Sequence, residues 1–156
     1  MANNPVTSIS TIYGVALVTV DNLPNDMSVI SNVFSKIAHE QINIDMISQA
    51  PPYKGKSSIS FSLPAQDIAK IIGILNSFKN KIPNLRIEID SDNTKITVFG
   101  EAMKNIPGVA AQLFTLLAVN DIEVKLICTS EVEISYLIYE KDIDKAISAI
   151  KKEFNL

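Results

Sequence analysis

The sequence predicts an α+β fold in which one structural unit, with the element order β-α-β-β-α-β, occurs twice. Residues 29–49 align without a gap with residues 109–129, at an offset of 80, and the identical pairs include Phe34/Phe114, Ala38/Ala118 and Ile42/Ile122. Residues 59–72 match 134–147 at an offset of 75, so the second copy is five residues shorter in the loop at 51–55. A repeat of this length indicates two small domains in tandem, because solenoid repeats have periods of about 20–50 residues.

The first unit shows both helical and strand periodicity. A β-rich segment follows Gly14, and a helix is predicted to begin at Asp26 or Ser28, both good N-caps, with apolar residues at helical spacing up to position 38. A second helix begins near Pro64 and Asp67. The predicted strands are 15–20, 42–47, 57–63 and 85–89, and the helices are 28–38 and 68–78. This order is the ferredoxin-like split pattern.

The second unit repeats this order but lacks a closing strand. Strands are predicted at 95–100, 122–129 and 132–139, with helices at 108–119 and 142–153. An extra β-branched segment, residues 6–12, precedes the first unit. We expect this segment to supply the missing strand, because an unpaired sheet edge is a liability that natural proteins avoid. The alternative is that residues 1–12 are a frayed tail.

Composition excludes several classes of protein. No apolar run reaches the roughly 18 residues of a membrane span, and the N-terminus has no secretory signal pattern. The single cysteine, Cys128, suits a reducing cytoplasm. The net charge of −3 argues against a nucleic-acid partner, which favours clustered basic residues. We expect a cytoplasmic protein without membrane or nucleic-acid partners.

Signals for catalysis are nearly absent. His39 is the only histidine, and no motif places it near Cys128. Phosphate-cradling glycine loops and metal-type cysteine pairs are missing from the sequence. We therefore expect no catalytic residues, no metal and no cofactor in this chain.

One turn does suggest a ligand site. Pro107 and Gly108 precede the helix of the second unit, where free amides and the helix dipole suit a carboxylate. Thr129, Ser130 and Glu131 follow the next strand and offer hydroxyls and a carboxylate for an ammonium group. Together they indicate an amino-acid pocket. The alternative is an ordinary helix start.

These segments resemble a known family. The residues Gly100-x-x-Met103-Lys104-x-x-Pro107-Gly108-Val109-Ala110-Ala111, the segment 126–135 and the ending 153–156 resemble the C-terminal regulatory half of aspartate kinases. The segment Ile42–Gln49 resembles the "G-I-N-V-D-M-I-x-Q" strand of the same family. The resemblance covers essentially the whole chain.

The resemblance implies two interlocked ACT domains, at 14–92 and at 93–156 plus 5–12. It implies an allosteric regulatory region, for feedback inhibition of amino-acid biosynthesis, that forms a homodimer and acts on an aspartate kinase catalytic domain or subunit. The family's kinase domain has no counterpart in the sequence, so we expect a regulatory fragment or a separate subunit that does not phosphorylate aspartate.

The resemblance also implies an effector, lysine and/or threonine. It implies that the effector site forms between domains, commonly across a dimer, from the first-helix loop of one domain and the second strand of a neighbour. Carried over by position, the first-unit residues are Asn25, Asp26, Met27, Ser28, Val29, Ile30, Asn43, Ile44, Asp45 and Gln49. The second-unit residues are Met103, Lys104, Pro107, Gly108, Val109, Ala110, Glu123, Val124, Thr129, Ser130 and Glu131. In the first unit the family's Asp-x-Pro-Gly is replaced by Asn25-Asp26-Met27-Ser28, which predicts a changed or lost site there.

Other functions fit the same architecture. A stand-alone tandem ACT protein that regulates another biosynthetic enzyme is the main alternative. A nucleic-acid binder would need exposed strand aromatics, and Phe61 and Tyr136 are better placed for a core. An acyl-phosphate hydrolase would need an arginine in a strand-to-helix loop, whereas the only arginine, Arg86, lies in a predicted strand.

Overall fold

A computed structural model describes residues 4–156, and it divides the chain into two compact units. The first unit is Gly14–Asp92, and the second unit comprises residues up to Tyr13 together with Asn93–Leu156. The N-terminal segment thus lies in the second unit, as the sequence predicts. The strands are β1 (Ser8–Pro24), β2 (Ile47–Gln49), β3 (Lys56–Pro64), β4 (Arg86–Phe99), β5 (Val124–Thr129) and β6 (Glu133–Tyr139), and the α-helices are α1 (Met27–His39), α2 (Ile68–Lys79), α3 (Val109–Val119) and α4 (Ile143–Phe154).

The first unit has the strand order β2-β3-β1-β4. β1 and β3 are antiparallel, with Val18 opposite Phe61. Alternate strand residues face α1 and α2 because successive side chains point to opposite faces of a sheet. The shared core contains Ala16, Val18, Val20, Ile30, Val33, Ile37, Ile59, Phe61, Leu63, Ile71 and Leu75, all nearly fully buried.

The second unit has the order β1-β4-β6-β5. β4 pairs with β6 in antiparallel register, with Ile96 opposite Tyr136, and β6 pairs in turn with β5. Helices α3 and α4 cover one face. The core contains Val6, Ile96, Val98, Met103, Val109, Leu113, Leu117, Ile134, Tyr136, Ile138, Ala146, Ile150 and Phe154. Val6 is completely buried in it, so the alternative of a frayed tail is wrong for the described part of residues 1–12.

Two predicted strand breaks do not occur. The sequence predicts separate strands at 15–20 and in the preceding segment, but β1 is one strand of 17 residues. Likewise β4 is one strand where strands at 85–89 and 95–100 are predicted. Gly14 (φ 64°) and Asp92 (φ 61°) adopt left-handed conformations inside these strands. A single residue of this kind bends a strand without ending it.

The predicted strand at 42–47 is also wrong, because β2 contains only Ile47–Gln49. Asp45 and Met46 both bond to Ser62: the Asp45 amide donates to the Ser62 carbonyl at 3.1 Å, the Met46 amide donates to the Ser62 hydroxyl at 3.0 Å, and the Ser62 amide donates to the Met46 carbonyl at 3.0 Å. Two residues opposite one interrupt the regular ladder, as in a β-bulge, so the strand does not extend to residue 42. No helix among residues 4–156 is long and apolar enough to cross a membrane, and those residues contain no cluster of three or more metal-ligating side chains.

Candidate functional site

A cavity of about 250 Å³ opens between the start of α3 and the β5–β6 turn. It lies within the second unit. The walls combine an apolar side with a polar rim, which is the usual make-up of a small-molecule site. Its lining residues are Met103, Ile106, Gly108, Val109, Ala110, Thr129, Ser130, Glu131 and Ile134.

The first wall is the N-terminus of α3, which no side chain caps. Gly108 is the N-cap residue, with φ 90° and ψ 0°, and no side chain bonds to the first helical amides. Its carbonyl accepts from the Gln112 amide at 2.9 Å. A Cβ built on Gly108 meets nothing within 4 Å, so the positive φ explains the glycine and packing does not. The first amides of the helix are therefore available to an anion.

The second wall is the turn between β5 and β6. The Ser130 amide donates to the Glu133 carbonyl at 2.8 Å, and the Ser130 hydroxyl accepts from the Glu133 amide at 3.1 Å. These bonds hold the turn closed. Glu131 lies at its exposed tip and is the one charged side chain among the described lining residues. Amide donors opposite a carboxylate match the two charges of a free amino acid.

Four family-derived residues of the second unit do not line this cavity: Lys104, Pro107, Glu123 and Val124. The Lys104 ammonium pairs with the Glu101 carboxylate at 3.3 Å, near the solvent. Val124 is the first residue of β5, and Glu123 directly precedes it. Thr129 lies five positions further along the strand, about 17 Å away at the usual rise per residue.

The corresponding helix start in the first unit, the N-terminus of α1, is capped by a side chain of the protein itself. Asp26 is the N-cap residue of α1, and its Oδ1 accepts from the Ser28 amide at 2.8 Å and from the Ser28 hydroxyl at 2.7 Å. These hydrogen bonds from the Ser28 hydroxyl and amide lower the pKa of the Asp26 carboxyl below its ordinary value. The carboxylate therefore takes the place that a ligand anion would need.

The remaining first-unit residues lie in several different places. The Ser57 hydroxyl donates to Asn25 Oδ1 and accepts from Gln49 Nε2, both at 3.4 Å, which brings Asn25 and Gln49 together. Met27 is 71% exposed. Ile30 belongs to the core and Val29 packs against it, whereas Asn43, Ile44 and Asp45 precede β2 at the end remote from Gln49.

Residue-by-residue transfer from the family missed Ile106, Ile134 and Ser57. Ile134 is the repeat partner of Ile59, and its inward position on β6 gives the cavity an apolar floor. Ile106 directly precedes the Pro107-Gly108 pair. Ser57 is 2% exposed, and its partners lie 32 and 8 residues away in sequence, so no local pattern could have found it.

Comparisons with known proteins agree with the fold and with the motif. A family model described as ACT domain matches residues 96–154. The aspartokinase of Bacillus sp. (strain MGA3) is 34% identical over 139 residues, which are 89% of this chain and 34% of that protein. This chain therefore spans about a third of the length of the curated relatives it matches.

Two solved structures extend the comparison. A chain in the crystal structure of aspartokinase alpha and beta subunits is 32% identical, with a TM-score of 0.87, and the match covers 97% of this chain and 99% of that one. E. coli aspartokinase III in complex with lysine and aspartate, in the T-state, has a TM-score of 0.75 at 16% identity, covering 98% of this chain and 34% of that one. The second likeness concerns the fold alone.

Proposed function

Because this chain belongs to the aspartokinase family, as a regulatory region built from ACT domains, we propose that it binds a free amino acid and thereby regulates an aspartate kinase. The catalytic domain or subunit is its partner, and the active form is a homodimer through the ACT domains. The two ACT domains occupy 14–92 and 93–156 plus 5–12. The full-length match to a chain of the aspartokinase alpha and beta subunits supports this partner.

The observation that carries the proposal is the uncapped start of α3 facing Glu131 across the cavity. The α-carboxylate of the ligand accepts from the first amides of α3, which a helix dipole makes favourable for an anion. The α-ammonium group pairs with the Glu131 carboxylate. The aliphatic part of the ligand packs on Met103 and Ile134.

The same cavity favours a neutral side chain. Lysine and/or threonine are the effectors that we propose, and E. coli aspartokinase III was crystallised with lysine. Glu131 is matched by the α-ammonium group, so a second ammonium group, as in lysine, has no further carboxylate among the described lining residues. The side-chain ammonium group of a lysine ligand would therefore stay in solvent at the exposed rim formed by Thr129, Ser130 and Glu131 and add no ion pair of its own. Threonine instead presents a methyl group to the apolar wall and a hydroxyl to Thr129.

Binding regulates catalysis only if the ligand prefers one of two arrangements of the protein. We propose that feedback inhibition works in this way, with the bound amino acid favouring the less active arrangement of the kinase. The start of α1 in the first unit, which the Asp26 side chain caps, contributes little to effector binding.

Isothermal titration with L-threonine and L-lysine tests the proposal directly. We expect heat with L-threonine, and Glu131→Gln should weaken the binding by at least about tenfold, because an ion pair becomes a neutral contact. Glu140→Gln is the matched control: it removes the same charge from an exposed position beyond the opposite end of β6, outside the proposed site, and should leave the affinity unchanged. Absence of heat with both amino acids at millimolar concentration would refute an effector site in this chain.

A further inference from the structure

The residues Asn4–Thr7, which we name the strap, pack into the second unit. Val6 is completely buried in the core that contains Met103 and Val109. The Thr7 amide donates to the Phe99 carbonyl at 2.7 Å. The Asn4 side-chain amide donates to the carbonyl of Phe154, at the end of α4. The strap is therefore held by hydrogen bonds at both ends and by a buried side chain in the middle.

Gly100 is the residue against which the backbone of the strap packs. Its φ is −173°, an extended conformation open to any residue, so backbone conformation does not require a glycine here. A Cβ built on Gly100, however, overlaps the carbonyl oxygen of Pro5 and lies 3.1 Å from the Val6 Cα. Glycine is required because the strap backbone lies directly against this residue.

The backbone of Gly100 also contacts the second wall of the cavity and the lining residue Met103. Its amide donates to the Val132 carbonyl at 2.9 Å, one residue after Glu131. Its carbonyl accepts from the amide of Met103 at 3.0 Å, and Met103 lines the cavity. A displacement of Gly100 would therefore move the Glu131 turn and Met103 relative to each other.

We propose that the strap and the α3 cavity are energetically coupled through Gly100. With the strap in place, Gly100 holds the Glu131 turn and Met103 at the spacing that the ligand needs. A ligand that contacts both in turn holds the strap more firmly in place. The inference rests on the proposed amino-acid site. Coupling of this kind is reciprocal, and its usual size is a 5–150-fold change in affinity.

Amide hydrogen exchange of Thr7 measures how often the strap detaches from the second unit, because the hydrogen bond to the Phe99 carbonyl must open before the amide exchanges. We expect saturating L-threonine, or L-lysine if it is the one that binds, to slow exchange at Thr7 about tenfold. The control is the amide of Ser62, which donates to Met46 in the first unit at 3.0 Å and should not respond.

Variants test the opposite direction of the coupling. Gly100→Ala should speed exchange at Thr7 and weaken binding about tenfold. Gly73→Ala is its control, because a Cβ there meets nothing within 4 Å. Since Gly100→Ala could prevent folding, Val6→Ala provides a second test, with Val20→Ala as a comparably buried control in the first unit. Val6→Ala should weaken binding and Val20→Ala should not.

The outcomes separate the two proposals. Binding heat with unchanged exchange at Thr7, or unchanged affinity in a folded Gly100→Ala or Val6→Ala protein, would overturn the coupling and leave the effector site standing. Absence of binding by the wild-type protein in the titration would overturn the effector site, and the coupling with it.

Discussion

The carboxylate of Asp26 accepts two hydrogen bonds from Ser28, one from the backbone amide at 2.8 Å and one from the hydroxyl at 2.7 Å. At the offset of 80 that relates the two repeats, Ser28 corresponds to Gly108, whose helix has no side-chain cap. The two copies of the unit therefore begin their first helix in different ways. One start is closed by the chain itself and the other is open to a cavity.

The self-capped helix predicts a pH-dependent stability. Asp26→Ala should lower the free energy of unfolding at pH 7, because α1 loses its N-cap, whereas Asp26→Asn keeps an acceptor and should lose less. The folded-state pKa of Asp26 is lowered from 3.8, so the carboxylate stabilises the fold above about pH 4 and loses this contribution as the pH falls through the folded-state pKa. Urea unfolding at pH 7 and pH 3 should show the gap between wild type and Asp26→Ala narrowing in acid. A gap that is constant across this range would contradict the prediction.

Replacing Gly108 or Gly73 by alanine should change the free energy of unfolding in opposite directions. Gly108→Ala should lower the free energy of unfolding by about 1 kcal/mol, because a Cβ disfavours the left-handed conformation, and Gly108→Asn should cost less. Gly73 lies exposed inside α2 with open space at its Cβ, so Gly73→Ala should raise stability by about 0.5–1 kcal/mol. Denaturant unfolding checks both, and equal effects at the two positions would count against the assigned backbone conformation at Gly108.

Tyr136 carries a polar atom that the fold does not use. Its side chain is 1% exposed, and its hydroxyl has no hydrogen-bond partner among residues 4–156. The ring contacts Phe114 edge-to-face at 6.0 Å, as Phe61 contacts Phe34 at 5.4 Å in the first unit. Tyr136→Phe should therefore raise the free energy of unfolding at pH 7 by about 1 kcal/mol, since an unpaired buried hydroxyl is removed.

The same substitution should change the alkaline behaviour. Burial raises the pKa of Tyr136 to about 12, so between pH 10 and 12 the unfolded chain loses a proton that the folded chain keeps, and stability falls. The advantage of Tyr136→Phe over wild type should grow by about 2–3 kcal/mol over this range. Phe61→Tyr is the converse variant and should destabilise the first unit. An advantage that does not change with pH would show that the Tyr136 hydroxyl is solvated.

The repeat made the architecture predictable, because matched apolar positions in the two copies define the same helix faces and strands. The N-cap at Asp26 and the start of α3 at Pro107-Gly108 followed from local chemistry. The length of β1 and β4 did not, since Gly14 and Asp92 look like strand ends in sequence but are left-handed residues within continuous strands. Likewise the Ile42–Ile47 alternation resembles a strand, yet Ser62 takes the Met46 amide through its side chain.

The candidate site was only partly predictable for a related reason. Gly108, Thr129 and Glu131 converge because they flank consecutive elements of one repeat. Glu123 is closer to Thr129 along the chain than Gly108 is, but an extended strand separates Glu123 from Thr129. The contact between Asn25 and Gln49 depends on Ser57, which only the folded chain brings between them.

The burial of Val6 has a practical consequence for dissecting this molecule. A piece cut from Asn93 to Leu156 would be missing a part of its own interior, so it should aggregate or stay unfolded. Because the Asn4 side chain bonds to the carbonyl of Phe154, the two ends of the second unit lie side by side. A short linker from Leu156 to the opening segment would then give a circularly rearranged, self-sufficient domain.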